Sequence, residues 1–198
     1  MELRCAWVTK DPEYIEYHDK QWGRPVHDAR ELFAKLCLDG QQAGLSWITI
    51  LKRTESYHRA YADFDPLRIV QFDEQDVERL MQDTGIIRNR LKVQSVIKNA
   101  RAYLALEAEG IDFVDYLWGF VGGAPIVNQR QGNGDIPATS AESDAMSKAL
   151  KKRGFTFVGS TICYAFMQAV GMVNDHLVTC PCHAECQQVM RPADQVHG

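Results

Sequence analysis

The stretch RLKVQSVIKNARAYLALEAEG, residues 90–110, most constrains the fold. Leu91, Val93, Val96, Ile97, Ala100 and Leu104 fall on one broad stripe at helical spacing, and Gly110 marks its stop. A stripe of that length must be covered by other elements, and the rest of the chain offers helices to cover it. DARELFAKLCL (28–38) places apolar residues at 32, 33, 36 and 38 behind an Asp28 cap, and LSWITILKR resumes after a glycine-containing break. Asp65-Pro66 opens a short helix, Asp73 caps DEQDVERLMQD, and FVDYLWGF reads as a further short helix. TSAESDAMSKALKKRG carries Thr139 with Glu142 three later, a capping box, and STICYAFMQAVG reads as a helix buried all round. GGAPIVNQRQGNGDIP (122–137) is a connector. No run alternates as a strand would, and no repeat occurs, so the fold class is all-α.

At 198 residues the chain suits one domain of two lobes, taken as 1–188, with 189–198 a disordered tail. The polar start MELRCAWVTKDPEY is no signal peptide, and TICYAFMQAVGMV is too short and polar to span a bilayer. The expectation is a cytoplasmic protein without a membrane partner. A net charge of −4 excludes a strongly cationic nucleic-acid binder, so contact with a polyanion rests on local basic patches. Three exist, at 51–53, 86–92 and 150–154.

Of six cysteines, Cys37 and Cys163 lie in apolar stretches and read as core thiols. Cys5, Cys180, Cys182 and Cys186 cluster at the two chain ends beside histidines, which favours metal over disulfides. On a helix, His176 and Cys180 would share a face. With Cys5 and His18 they complete a Cys2His2 set that would clip the first twenty residues to the last helix. Cys180, Cys182, His183 and Cys186 form a rival local set, with Pro181 stopping a helix there. Spacing alone does not choose between them.

CAWVTKDPEYIEYHDKQWG, LCLDGQQAGLSWITIL, DTGIIRNRLKVQSVIKNARAYL and KALKKRGFTFVGSTICYAFMQAVGMVNDH together resemble the constitutive bacterial 3-methyladenine DNA glycosylase family. The likeness runs in order over about residues 3–182. It implies a two-lobed helix-hairpin-helix fold and one structural zinc held by Cys5, His18, His176 and Cys180. It implies a monomer acting on double-stranded alkylated DNA, releasing free 3-methyladenine and leaving an abasic site without cutting the strand.

Adenine methylated at N3 is cationic while joined to the sugar, so it leaves readily. The site must instead extrude the nucleotide and recognise its base. Aromatic faces attract cations by about 0.5–2 kcal/mol. The resemblance assigns base stacking to Tyr17 and Trp47, leaves Trp7, Tyr14 and Trp22 as packing, and gives the carboxylate role, base recognition and charge compensation, to Asp39. The family has Glu at that place; Asp loses roughly 1.5 Å of reach. The resemblance also places a duplex wedge at Gly44 and Leu45, and a phosphate-holding hairpin at 84–92 with Gly85, Arg88, Arg90 and Lys92. Two other classes fit the same residues: an alkylated-DNA binding protein with weak or no hydrolysis, because Asp39 is short, and a metalloenzyme with a working zinc. An enzyme of free methylated nucleosides is a third.

Overall fold

The computed structural model describes residues 3–189; the tail expected over 189–198 lies, apart from residue 189, outside the described residues. The stripe of 90–110 lies on the long helix α7 (Arg90–Ala108); α6 (Glu74–Met81) and α5 (Pro66–Ile69) pack on it. Leu91 does not belong to the stripe: it is 65 % exposed, because a residue two positions before Val93 faces the opposite side of the helix. Across from them lies α2 (Ala29–Gln41), which packs on α7 and on α10 (Ser160–Ala169). Helix α9 (Ala141–Lys152) closes the far side against α10. Short helices α3 (Trp47–Leu51), α4 (Thr54–Ala60) and α8 (Phe113–Trp118) fill the joints.

The caps at Asp28, Asp65 and Asp73 form as the sequence requires, each side chain accepting from first-turn N–H groups. Three local expectations change. The box of α9 uses Ser140 and Ser143, not Thr139 and Glu142; Ser143 Oγ reaches back to Ser140 N at 2.8 Å. Helix α10 is not buried all round, since Thr161 is exposed. Pro181 starts a helix, α11 (Pro181–Val189), because proline suits a first helical position whose N–H would be unpaired anyway. Periodicity gives no helix before residue 28, yet α1 (Pro12–Lys20) forms behind Asp11, whose side chain accepts from Glu13 N and Tyr14 N.

The fold is mostly helical, with one parallel pair of two-residue strands, β1 (Ile126–Val127) and β2 (Val173–Asn174). The pair is too short to show alternation. Buried apolar residues form a main cluster around α2, α7 and α10, and a smaller one of Cys5, Tyr17, Trp22, Ala169, Leu177, Cys180 and Cys182. Trp47 packs against both. Among the described residues no helix is long and apolar enough to cross a membrane.

Candidate active site

The last turn of α2 carries Asp39, buried to 2 % exposure. Gly40 eases this placement: a Cβ there would lie 3.1 Å from the Phe157 carbonyl oxygen, tighter than ordinary contact, so any larger residue would push helix and loop apart by a few tenths of an ångström. Asp39 lines a cavity of about 390 Å³ together with Tyr17 from α1 and Trp47 from the start of α3. The two rings stand 5.6 Å apart at 40°, angled like a partly opened clamp. The sequence brings these three residues together as expected. Trp7, Tyr14 and Trp22, expected as packing, do pack: Trp7 stands 5.0 Å from both Tyr14 and Trp22. All three also line the cavity.

One residue not anticipated belongs here. Lys35 lies one turn before Asp39, its Nζ 3.6 Å from Asp39 Oδ1 and 3.3 Å from the Trp47 ring centroid. Its i,i+4 spacing to an aspartate was a readable signal. Burial pushes Asp39 up to about 6, with Lys35 opposing, and pushes Lys35 down to about 8, with Asp39 opposing. Burial, reinforced by Asp39, holds the Tyr17 phenol well above its ordinary range. Among the described residues four buried side-chain polar atoms find no hydrogen-bond partner: Trp7 Nε1, Lys35 Nζ, Asp39 Oδ2 and Trp47 Nε1. Trp7, Asp39 and Trp47 line this cavity, and Lys35 touches its wall. Native proteins leave few such atoms unpaired, so the meeting of Trp7, Asp39 and Trp47 at one cavity marks a place suited to a polar ligand.

Beside the aromatic wall lies the second constellation. Cys5, His18, His176 and Cys180 are all buried, with ligand atoms within 4.8 Å of one another. Cys5 Sγ lies 3.5 Å from His176 Nδ1, and Cys180 Sγ lies 3.7 Å from His18 Nε2 and 3.8 Å from His176 Nδ1. A tetrahedral zinc with ordinary bond lengths sets sulfur and nitrogen about 3.6 Å apart. The outer ring nitrogens are also placed as metal-bound imidazoles require. His18 Nδ1 meets Asp19 Oδ1 at 2.7 Å, and His176 Nε2 meets the Trp22 carbonyl at 2.9 Å. These residues therefore fit a metal ion. His176 and Cys180 do not share a helix; they lie in the turn between β2 and α11. The rival local set does not gather: His183 Nε2 points to the Asn128 carbonyl, 2.8 Å away, and its Nδ1 to Gln187. Cys182 stays near the cluster, grouping with His18 and Asp19.

The expected duplex contacts divide. Gly44 takes φ +78 with open space around it, and Leu45 beside it is 40 % exposed, so the turn presents an apolar tip. A short connection joins α6 to α7 over the expected hairpin, and in it Gly85 packs on Ser56 and Asn89 caps α7 by accepting from Lys92 N. Arg88 is exposed. Arg90 is engaged by Glu74 and Glu78 at 3.2 and 2.6 Å. Lys92 is a correction: it is buried, not a surface cation. Its Nζ donates to the carbonyls of Gln41 (2.8 Å) and Ala43 (2.6 Å). Helix spacing turns position 92 inward, where the negative end of α2 receives the ammonium.

A cavity walled by aromatic rings over a buried carboxylate, on this helical frame, is suited to a flat, electron-poor ring. The sequence model described as methyladenine glycosylase matches residues 7–183, and the chain belongs to that family. It is 57 % identical over 180 residues to DNA-3-methyladenine glycosylase 1 of Escherichia coli K12, covering 91 % of this chain and 96 % of that protein. A crystal structure of 3-methyladenine DNA glycosylase I superposes with TM-score 0.91 at 57 % identity, covering 91 % of this chain and all (100 %) of that one. A tyrosine-to-phenylalanine variant of a 3-methyladenine DNA glycosylase I, solved in complex with 3-methyladenine, superposes at 0.86 with 39 % identity, covering 90 % of this chain and 96 % of that one.

Proposed function

We propose that this chain is a DNA repair glycosylase that hydrolyses the N-glycosidic bond of 3-methyladenine in alkylated DNA. The observation that carries the reading is the cavity itself: Tyr17 and Trp47 as aromatic walls, with the unpaired Asp39 Oδ2 inside. A nucleotide swung out of the duplex would bring a cationic purine against the faces of those rings, which favour positive charge. Asp39 would accept from the adenine edge and balance that charge. Normal adenine, being neutral, gains less from both groups, so discrimination and activation have one origin. The base departs as a neutral molecule, water takes its place on the sugar, and an abasic site remains. The enzyme is monofunctional in this reading, without strand cleavage, and works as a cytoplasmic monomer.

The apolar tip at Leu45 fills the gap left by the extruded nucleotide. The hairpin ahead of α7, of the helix-hairpin-helix kind, holds backbone phosphate through N–H groups at its helix start, with Arg88 adding charge. A structural zinc held by Cys5, His18, His176 and Cys180 ties the chain ends together. With four protein ligands it is closed to substrate and supplies stability rather than chemistry. The same metal positions α1, since His18 follows Tyr17 directly.

Chromatography of methylated DNA treated with the enzyme tests the activity. Free 3-methyladenine should appear, with strands intact until base or heat is applied; a protein that shifts the DNA but frees no base is a binder instead. For the metal, elemental analysis should give one zinc per chain. Stripping it should lower the melting temperature together with activity, whereas a working zinc would lose chemistry first.

A further inference from the structure

The reading above leaves Lys35 without a role, and stability does not supply one. Its Nζ is buried without a hydrogen-bond partner, and its ion pair with Asp39 Oδ1, at 3.6 Å, is too long to be a hydrogen bond. An uncharged side chain of similar length would fill this place without the cost of burying an ammonium. The position is nonetheless specific. Nζ lies 3.3 Å from the Trp47 ring centroid and 5.1 Å from that of Tyr17. Trp47 and Tyr17 line two cavities, the base cavity of about 390 Å³ and a neighbour of about 480 Å³. Asp39 lines only the first and Lys35 only the second. The ammonium therefore sits behind the aromatic wall whose other side would meet the base.

We infer that Lys35 tunes the selection and rate of base release by charge, acting through Trp47 and Asp39. This rests on the proposed glycosylase activity. A cation behind the wall uses part of the ring's attraction for positive charge, and it offsets part of the Asp39 carboxylate. Both effects loosen the hold on a cationic purine before reaction. The glycosidic C1′–N9 bond then breaks with both electrons staying on N9. The base becomes neutral, and the positive charge passes to the sugar. Water adds at C1′ and gives up one proton to solvent. As the base loses its charge, its repulsion from Lys35 disappears. The lysine thus raises the free energy of the bound cation more than that of the transition state. It is a tuning residue that does not touch the reacting atoms.

The test compares Lys35→Met, Lys35→Gln and Lys35→Arg in the full chain. Steady-state and single-turnover release of 3-methyladenine from methylated DNA is measured, with binding of neutral free 3-methyladenine alongside. In both uncharged variants kcat should fall about tenfold and KM should fall with it, a split expected when ground-state destabilisation is removed. Affinity for the neutral free base should change less than about twofold, and Lys35→Arg should keep the parent's kcat within a few-fold. Unchanged kcat and KM would overturn the inference. So would a loss of free-base affinity that matches the loss of kcat, or an arginine variant that behaves like the methionine one. Should the parent itself release no base, the glycosylase reading fails; equal release by parent and variants sinks only the role of Lys35.

Discussion

Among the described residues two aspartates are buried, Asp39 and Asp175, and they are buried for opposite ends. Asp175 is wholly enclosed and saturated: Tyr164 donates to it, as do Gln168 at 3.0 Å, Asn128 at 2.7 Å and Arg130 at 3.0 Å. Burial would raise its pKa, but these donors outweigh it and hold the carboxyl below the ordinary range. Asp39 is as deeply buried yet has one oxygen unpaired and a lysine at ion-pair but not hydrogen-bond distance, and its pKa goes up to about 6. Partners, not depth, decide the outcome. The saturated carboxylate stitches the segment after β1 to α10 and stands next to His176. The unsaturated one keeps its acceptor for something that is not protein.

Loss of Asp175 should separate the two carboxylates most widely. Asp175→Ala leaves Arg130 and three other donors facing a void and should cost about 3–5 kcal/mol. Calorimetry should show the melting temperature falling by about 10 °C. Asp39→Asn should do the reverse to stability and more to function. Release of 3-methyladenine should drop about a hundredfold, as for loss of a buried charged acceptor, while the melting temperature holds or rises. A variant that unfolds, or one that excises like the parent, would put Asp39 in the same category as Asp175.

The pH dependence sharpens the contrast. The folded value of Asp39, about 6, lies above its ordinary 3.8, so the folded protein takes this proton first on acidification. Its stability contribution is full below the ordinary value and is lost as pH rises through about 6, a difference of about 3 kcal/mol. The stability gain of Asp39→Asn over the parent should therefore be greatest at neutral pH and vanish near pH 4. In parallel, kcat/KM should decline as pH falls through about 6, because the protonated carboxyl no longer balances a cation. The smallest effect is expected at Leu45, which is uncharged and 40 % exposed. Leu45→Ala should slow release from duplex DNA about tenfold, with stability and binding of the free base unchanged.

Much of this architecture is legible in the residues. The stripe on α7 apart from Leu91, the caps at Asp28 and Asp73 and the meeting of Tyr17, Asp39 and Trp47 at one cavity stand where the chain's patterns and its family likeness put them. The misses have physical causes. Pro181 is ambiguous because proline both stops and starts helices. Ser140 and Thr139 are adjacent hydroxyl residues, and only the backbone path decides which one caps. Lys92 reads as a hairpin cation because sequence shows its charge but not the two carbonyls that claim it. Lys35 and Asp175 escape notice because a charged residue's burial depends on neighbours far away in the chain.

Lys92 has one more consequence. It joins the end of α2, which leads into the Leu45 turn, to the first turn of α7. Gln41 Nε2 repeats that link through the Lys92 carbonyl at 3.1 Å, and the Tyr57 hydroxyl spans Gln41 and the hairpin's Ile87 N–H. The proposed grip on one phosphate and the proposed lever at the flipped step thus behave as the two jaws of a locked calliper. Their gauge is set at folding, and a strand seated in one jaw is already measured for the other.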